Sequence, residues 1–588
     1  MRTSTLIDRP SHDARNAFLC AALVTAAFLL VNPFAEMPFN DDWSYAFTVR
    51  SLLETGRFVY NGWSTCVILT HVWWGAMFAR IFGCSFTVLR FSTLPFAAGS
   101  AFFCYLLARR ADLQPAGAIF ASLASCLSPL FLPMATSFMT DVPGLCYCLV
   151  SFYAFVRAGQ SASIRSSILW LGTGILSGII GGMNRQTSWL PSLLILPYLI
   201  LLRRSQPRFI AAAAIGWLLV LLDVVLTLRW FDRQPWVYLD PPILDCLRQG
   251  LHHREASITN LLAFTFATVS FVLPAALPFV VECVSHLWRI RRTRRAAILA
   301  VVVLILSVAM SLNPRLGIGP WLADIVTVNG VLENFELSGH PPFVLPLAIR
   351  GFISALVLTT CYLLVTRCVE CALWPRATLS KLRGFCSMPD SRPFLAIFAI
   401  VYFALMVVRS AQDVTYDRYC LPLIPCLAIP LLRGRRLAFA WPLLAIYIAY
   451  AVASTQDNLA LASARRAAIE RLESHGIPRI QIAAGFEYDF YTQLQEMGHV
   501  NRYRITNPPN AYNEFQGYTP ALKCLYRLEW SHAADTMPSP FGTVDYIAWI
   551  PPFHRIVYID QFKNPWWLRS ARPRNIPDPR SYETEYQD

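Results

Sequence analysis

Met37-Pro-Phe-Asn-Asp-Asp-Trp-Ser-Tyr45 is the stretch on which the reading of this chain turns. It follows a first apolar run at roughly 17–31 and precedes an aromatic, amphipathic segment at 65–82. The adjacent carboxylates of Asp41 and Asp42 cannot lie in hydrocarbon, where a charged side chain costs about 3 kcal/mol or more. With Trp43 and Tyr45 beside them they are also too compact to be a solvated tail. The stretch therefore marks an acidic loop held over a polar cavity by a lipid-facing scaffold.

Composition outside the loop describes that scaffold. Of 588 residues, 55% are hydrophobic and only 15% charged, against about 25% charged in soluble domains. Apolar runs of about 17–25 residues, each long enough to span a bilayer as a helix, recur over the first 455 positions. The fold class is an all-α polytopic membrane protein with a small C-terminal α/β domain. The net charge of +14 does not imply a nucleic-acid partner, because Arg and Lys gather in short loops between apolar runs and form no basic, aromatic-interleaved stripe. Most of the 16 Cys lie inside apolar runs, with no disulfide framework, and Cys146 and Cys148 read as small packing residues.

Arg2, Arg9 and Arg15 precede the first run like a signal peptide, but no small-residue cleavage site follows. The run reads as a retained span with its N-terminus cytoplasmic. Thirteen spans follow from hydropathy: 16–34, 86–108, 116–132, 142–157, 167–184, 188–202, 209–230, 260–283, 296–312, 345–366, 393–409, 419–433 and 437–454. Charge decides what 65–82 does. If it lies along the outer interface, with Trp73 and Trp74 at headgroup level, then Arg109–Arg110, Arg203–Arg204, Arg289–Arg295 and Arg433–Arg436 all fall inside. Were it a span, every later basic cluster would face outward, against the positive-inside rule. Residues 1–454 are thus a transmembrane domain with a first outer loop at 35–85, and 455–588 an extracytoplasmic domain. The latter opens with a helix at 459–475, followed by a strand at 479–483, a helix near 488–497, strands at 544–550 and 555–561, and a Pro-rich tail at 573–588.

Acids come first among the residues that could carry chemistry. Asp41 and Asp42 point in different directions, so one is free for a substrate while Asp42 can cap the following helix. Asp141, in Met139-Thr-Asp-Val-Pro143, opens the fourth span on the same side and is either a cap or a functional carboxylate. Two carboxylates converging there supply a general base and a substrate or cation ligand. Arg185, Arg229, Arg233 and Arg418 are the cations on that side suited to a lipid phosphate, which Arg binds in a bidentate fork. Asp223 is the one acid deep inside an apolar run, so it faces either a cavity or a structural partner. His71 and His340 lack zinc-ligand spacing, and no Gly-rich nucleotide loop or GxSxG occurs. An activated group must then come from the membrane.

Several of these residues are arranged as in a known family. Phe39-Asn-Asp-Asp-Trp-Ser-Tyr-Ala46 with Ser51-Leu-Leu-Glu-Thr-Gly56 resembles the first outer loop of GT-C glycosyltransferases, among them the lipid A aminoarabinose transferases and the protein O-mannosyltransferases. Ile81-Phe-Gly83, Leu89-Arg-Phe91, the Asp-x-Pro at 141–143 and the Arg-Tyr-x-Leu-Pro at 418–422 extend the likeness over about 450 residues. The resemblance implies a donor sugar on a polyprenyl phosphate and a lipid, glycan or protein acceptor, in the inner membrane among membrane lipids. By the same resemblance Asp41 is the catalytic acid, with Asp42 and Asp141 as its partners. Arg185, Arg229, Arg418 and Tyr419 are the candidates for the donor phosphate, Arg229 being otherwise an interface anchor; Trp43, Tyr45 and His71 are the candidates for the substrate site, His71 being otherwise a headgroup-level histidine. A divalent cation stays open, since the family holds both metal-dependent and metal-free members. Two departures stand out: Asp42 replaces the usual Glu, and a phosphate-contacting Lys of the aminoarabinose transferases falls near Val67. A transporter or flippase, expected to show broken spans and repeated halves, and a polymerase of lipid-linked saccharides are the competing readings.

Overall fold

The computed structural model describes residues 10–238, 243–290, 317–322, 324–331, 337–341, 344–373, 390–410, 415–501, 505–506 and 517–565. The helices of the N-terminal half are α1 (Pro10–Leu30), α2 (Asp42–Thr55), α3 (Leu69–Phe82), α4 (Phe86–Arg110), α5 (Pro115–Cys126), α6 (Phe131–Ala135), α7 (Asp141–Gln160), α8 (Ile164–Asn184), α9 (Leu190–Leu202) and α10 (Pro207–Phe231). They are followed by α11 (Ile243–His252), α12 (Arg254–Phe271), α13 (Leu273–Ile290), α14 (Leu347–Leu373), α15 (Ser391–Arg409), α16 (Leu423–Leu432), α17 (Trp441–Ser474) and α18 (Phe486–Met497).

Seven of the described helices are long and apolar enough to cross a membrane, or eight if the α12–α13 pair is one span. The expected single span at 260–283 is in fact this pair, bent by 92° at Val272. Expected spans at 116–132, 188–202 and 419–433 are shorter apolar helices, and 296–312 lies outside the described residues. α7 is buried along most of its length between α4 and α8, whereas α10 exposes Ile215, Leu218, Leu222 and Leu226. Such a continuous apolar face suits lipid rather than water. α3 has 14 residues, about 21 Å at 1.5 Å per residue, which is short of the roughly 30 Å hydrocarbon core. Its outer face carries Trp73, Met77, Ile81 and Phe82. Trp74, expected beside Trp73 at headgroup level, instead tucks in and donates its indole N–H to the Ser92 carbonyl at 2.7 Å.

The acidic loop is shaped by backbone chemistry. Asn40 takes the left-handed region at φ 50°, which Asn tolerates better than most residues. The chain then turns into α2, which stops at Gly56 (φ 70°), whose N–H returns to the Leu52 carbonyl. Arg90 of α4 is fully buried and donates to the carbonyls of Pro33, Ala35 and Met37 at 2.8–2.9 Å. One side chain so satisfies three backbone acceptors that a turn of this kind would leave bare.

The apolar start of α17 runs on as one 34-residue helix, so the expected boundary at 454/455 falls inside it. Its outer half packs on a four-stranded sheet of β4 (Ile482–Ala483), β6 (Tyr526–Glu529), β8 (His554–Phe562) and β7 (Thr536–Ile547), in that spatial order. β4 and β6 are parallel and the other neighbours antiparallel. The strand expected at 479–483 is a short 3₁₀ turn followed by two residues of β4. The observed β7 starts at Thr536, eight positions before the expected 544, because it continues past an irregularity between Pro538 and Thr543. β6 has no counterpart in the sequence reading. Two small antiparallel pairs complete the described strands: β1 (Val237–Tyr238) with β5 (Ile505–Thr506) ties an outer loop to the C-terminal part, and β2 (Val326–Thr327) with β3 (Gly330–Val331) is a hairpin within one loop. The tail at 573–588 lies outside the described residues.

Candidate active site

A cavity of about 290 Å³ opens between the 35–66 loop, the turn between α8 and α9 and the end of α15, lined by Asp41, Tyr45, Trp63, Cys66, Arg185, Tyr402, Arg409, Arg418 and Tyr419. Of the residues expected at the site, Asp41, Tyr45, Arg185, Arg418 and Tyr419 come together here. Asp41 sits at the N-cap position of α2 without capping it. One of its oxygens accepts from the Trp63 indole and the other from the Arg418 guanidinium, both at 2.7 Å. Two contacts of this length, one to each oxygen, fix the carboxylate's orientation.

Arg418 also donates to the Asn40 amide oxygen at 2.8 Å and lies 3.4 Å from an Asp324 oxygen. Burial pushes the Asp324 carboxyl up to about 6, with Arg418 pulling the other way. Asp417, next in sequence to Arg418, accepts the backbone N–H groups of Ile325 and Val326 and so fixes the Asp324 loop. Three guanidinium groups surround one ring: Arg185, Arg409 and Arg418 lie 5.8, 5.2 and 5.9 Å from the centre of Tyr419. That geometry is within cation–π range, and it gathers positive charge in one place.

Asp141 meets this cluster through Arg185, with which it pairs at 3.0 Å. It lines a separate small void beside Arg185, Tyr402 and Arg418 rather than the main cavity. Its second oxygen is buried without a hydrogen-bond partner, a costly state for a polar atom that is never filled. Asp141 therefore supports Arg185 and leaves one acceptor facing inward.

Four expected site residues are elsewhere. Asp42 is 1% exposed and lines none of these cavities. Its two oxygens accept the N–H groups of Phe39 at 2.7 Å and Phe138 at 3.2 Å, so it staples the first outer loop to the second and does not cap α2. Burial raises its carboxyl to about 7. Trp43 is fully buried among Trp63, Phe486 and Phe490 and anchors α18 to the loop, because its ring lies on the face of α2 away from the cavity. His71 is a packing residue as well: it stacks on Phe138 at 4.0 Å, contacts the Phe138 carbonyl at 3.2 Å, and burial pushes it down to about 4. Arg229 lies exposed in the last turn of α10, away from the cavity lining. Asp223 takes the structural alternative, accepting from Trp189 at 2.7 Å and Thr227 at 3.2 Å. His340 lies in a loop pinned to the sheet, its N–H donated to the Ser531 hydroxyl.

Asp324, Arg409, Trp63 and Tyr402 were not reached from the sequence. Arg409 ends an apolar run and reads as an interface anchor; Asp324 sits in an apolar stretch with no neighbouring motif. The adjacent Asp-Arg of 417–418 was the one signal that a second acid belongs to the site. A divalent cation fits these residues poorly, since Asp41 and Asp141 are already compensated by Arg418 and Arg185. Among the described residues no three His, Cys, Asp or Glu side chains converge as a metal site. A second cavity of about 280 Å³ behind the loop has three Arg side chains in its lining, and each is paired: Arg50 with Glu54, Arg466 with Glu470 and Arg479 with Glu473.

Residues 67–230 match the family model of dolichyl-phosphate-mannose-protein mannosyltransferase. No curated protein matches the chain. Among solved structures the chain is similar to the S. cerevisiae protein O-mannosyltransferase Pmt1-Pmt2 complex bound to the sugar donor, at 12% identity, TM-score 0.30, over 39% of this chain and 34% of that one. It therefore spans about a third of that relative's length. It is also similar to ArnT from Cupriavidus metallidurans bound to undecaprenyl phosphate (13%, TM-score 0.36, 92% and 97% covered). A third similar structure is the Archaeoglobus fulgidus oligosaccharyltransferase with zinc and sulfate (14%, TM-score 0.38, 79% and 57% covered). The chain is similar to GT-C membrane glycosyltransferases, as its loop motifs imply.

Proposed function

We propose that this protein moves a sugar from a polyprenyl-phosphate-linked donor to a lipid, glycan or protein acceptor on the extracytoplasmic face of the inner membrane. The observation that carries the reading is the cavity in which Arg185, Arg409 and Arg418 surround Tyr419 beside the Asp41 carboxylate. The family matched over 67–230 is described by its use of a dolichyl-phosphate sugar, which is the same donor class. In the proposed step the acceptor oxygen attacks the anomeric carbon as the bond from that carbon to the phosphate oxygen breaks. The acceptor proton passes to Asp41, and the negative charge leaves on the lipid phosphate. Preorganised donors at a leaving oxyanion commonly supply a few kcal/mol each, and three guanidinium groups stand ready to do so here. Arg418 then has two tasks: it orients Asp41 and faces the phosphate. Asp141 positions Arg185. Residues 1–454 would hold this site, with 455–588 as an outer domain over the loop.

The test uses the full-length protein in lipid nanodiscs with a panel of polyprenyl-phosphate sugars, reading release of free polyprenyl phosphate. Turnover of at least one donor is expected. Translocation of lipid-linked saccharide in proteoliposomes with no donor cleaved would overturn the reading in favour of a flippase.

A further inference from the structure

The tip between β7 and β8 carries the sequence Ile547-Ala-Trp-Ile-Pro-Pro-Phe553. Ile547, Trp549 and Phe553 are 71%, 44% and 59% exposed. Large apolar side chains clustered on a strand tip are costly in water and mark a surface that something covers. The tip is also rigidly placed. The N–H groups of Trp549 and Ile550 both donate to the Asp457 carboxylate. The buried Arg555 donates to Asp457 at 3.1 Å and to the carbonyls of Ile550 and Pro552.

Asp457 fixes the depth of this anchor. It lies three residues beyond Ser454 on α17, about 4.5 Å along the axis at 1.5 Å per residue, where the apolar face of 441–454 ends. The first span gives a second marker. Val31 and Asn32, at the end of α1, line one cavity together with Gln456 and Leu459 of α17 and Val544 and Tyr546 of β7. The end of α1 and the end of the apolar stretch of α17 thus lie at the level of the tip, and Leu30 and Phe34 beside them are exposed as well.

We propose that Ile547, Trp549 and Phe553 insert into the interfacial region of the bilayer leaflet at which α1 and the apolar stretch of α17 end. Trp and its neighbours at such a depth bury their apolar rings below the headgroups while backbone polar groups stay satisfied. Here Asp457 and Arg555 supply that satisfaction. The tip makes the C-terminal sheet a membrane-supported arm. Through β7 packed on α17, and α18 packed on Trp43, this arm is braced against the loop that carries Asp41.

p-Benzoylphenylalanine introduced separately at positions 549 and 553 of the full chain tests this directly. The protein is reconstituted in vesicles of phosphatidylethanolamine with phosphatidylglycerol, irradiated, and its intact mass read. Position 169 on the exposed face of α8 is the lipid-facing control. Position 474, about 25 Å further along α17 from Asp457, is the solvent control. Phospholipid adducts at 549 and 553 comparable with those at 169, and absent at 474, are expected. Lipid capture at 169 but not at 553, equal capture at 474, or a crosslink to protein at 553 in place of lipid would each overturn the proposal.

Discussion

Asp41 and Asp42 are neighbours with identical side chains, yet they belong to different parts of the molecule. Asp41 faces a cavity, is held by Trp63 and Arg418, and points at a cluster of guanidinium groups. Asp42 turns inward, accepts two backbone N–H groups and joins the first outer loop to Phe138 of the second. The one-residue step at the start of α2 rotates the side chain by about 100°, which suffices to turn a reacting group into a fastener. The same division runs through the aromatics: Tyr45 lines the cavity, whereas Trp43 packs behind it. Chemistry and scaffold are interleaved residue by residue here, and their substitutions should separate cleanly.

The largest difference is expected for Asp41→Asn. It removes the basicity needed to take the acceptor proton, a loss of about 10²–10⁴ in rate. Arg418 keeps Asp324 as an anionic neighbour, so the thermal midpoint should fall little. Measured turnover of the purified variant near that of the wild type would take Asp41 out of the mechanism. Arg409→Ala should come next, at about 10²–10³ in kcat, as befits the loss of one donor to a leaving oxyanion. A change confined to KM would instead make Arg409 a binding residue only.

Asp42→Asn should act on stability, not on turnover per folded molecule. One amide oxygen can serve only one of the two N–H groups, and a buried donor left bare costs about 1–3 kcal/mol. The pH dependence sharpens the contrast. With its folded-state carboxyl raised to about 7 from an unfolded value near 3.9, Asp42 is held protonated longer in the native protein. Its contribution is full below about pH 4 and is lost as pH rises through about 7. Melting temperatures taken from pH 5 to 8 should fall more steeply for the wild type than for Asp42→Asn. Parallel curves would show that Asp42 is charged and stabilised throughout.

What could be read from the sequence divides along physical lines. Long apolar runs and loop charges depend on local composition, so α4, α7, α8, α10 and α15 stand close to the expected spans. Short motifs drew attention to Asp41 and to the Arg-Tyr at 418–419, and the folded chain brings these three to one cavity, with Asp141 in a void beside it. What failed depends on direction or distance. Whether a carboxylate on α2 looks toward the cavity or toward Phe138 is set by Asn40's left-handed turn and by Arg90 gripping the preceding carbonyls. Neither is visible in a hydropathy profile. Asp324 reaches Arg418 across 94 positions of sequence, counted from 324 to 418. The break between α12 and α13 at Val272, by contrast, is marked locally by Pro274 in the first turn of α13. Helix amphipathicity says which face is buried, but not which partner waits there.

The smallest effect is expected for Arg229→Ala, and it bears directly on how far charge alone identifies a phosphate site. Arg229 and Arg409 each stand at the outer end of an apolar run. Of the two, the sequence picks out only Arg229 as a phosphate ligand, and the fold reverses that choice. In the folded chain Arg409 lies 5.2 Å from the Tyr419 ring inside the cavity lining, whereas Arg229 is exposed at the last turn of α10. An exposed guanidinium works in high dielectric, where its interaction with a charge several ångströms away falls to about 1 kcal/mol or less and is screened by salt. Arg229→Ala should accordingly leave kcat and KM within about twofold of the wild type, under conditions in which Arg409→Ala loses about 10²–10³. Equal losses in the two variants, measured with the same donor, would mean that the lipid phosphate approaches along α10 and that the cavity around Tyr419 is not where it binds.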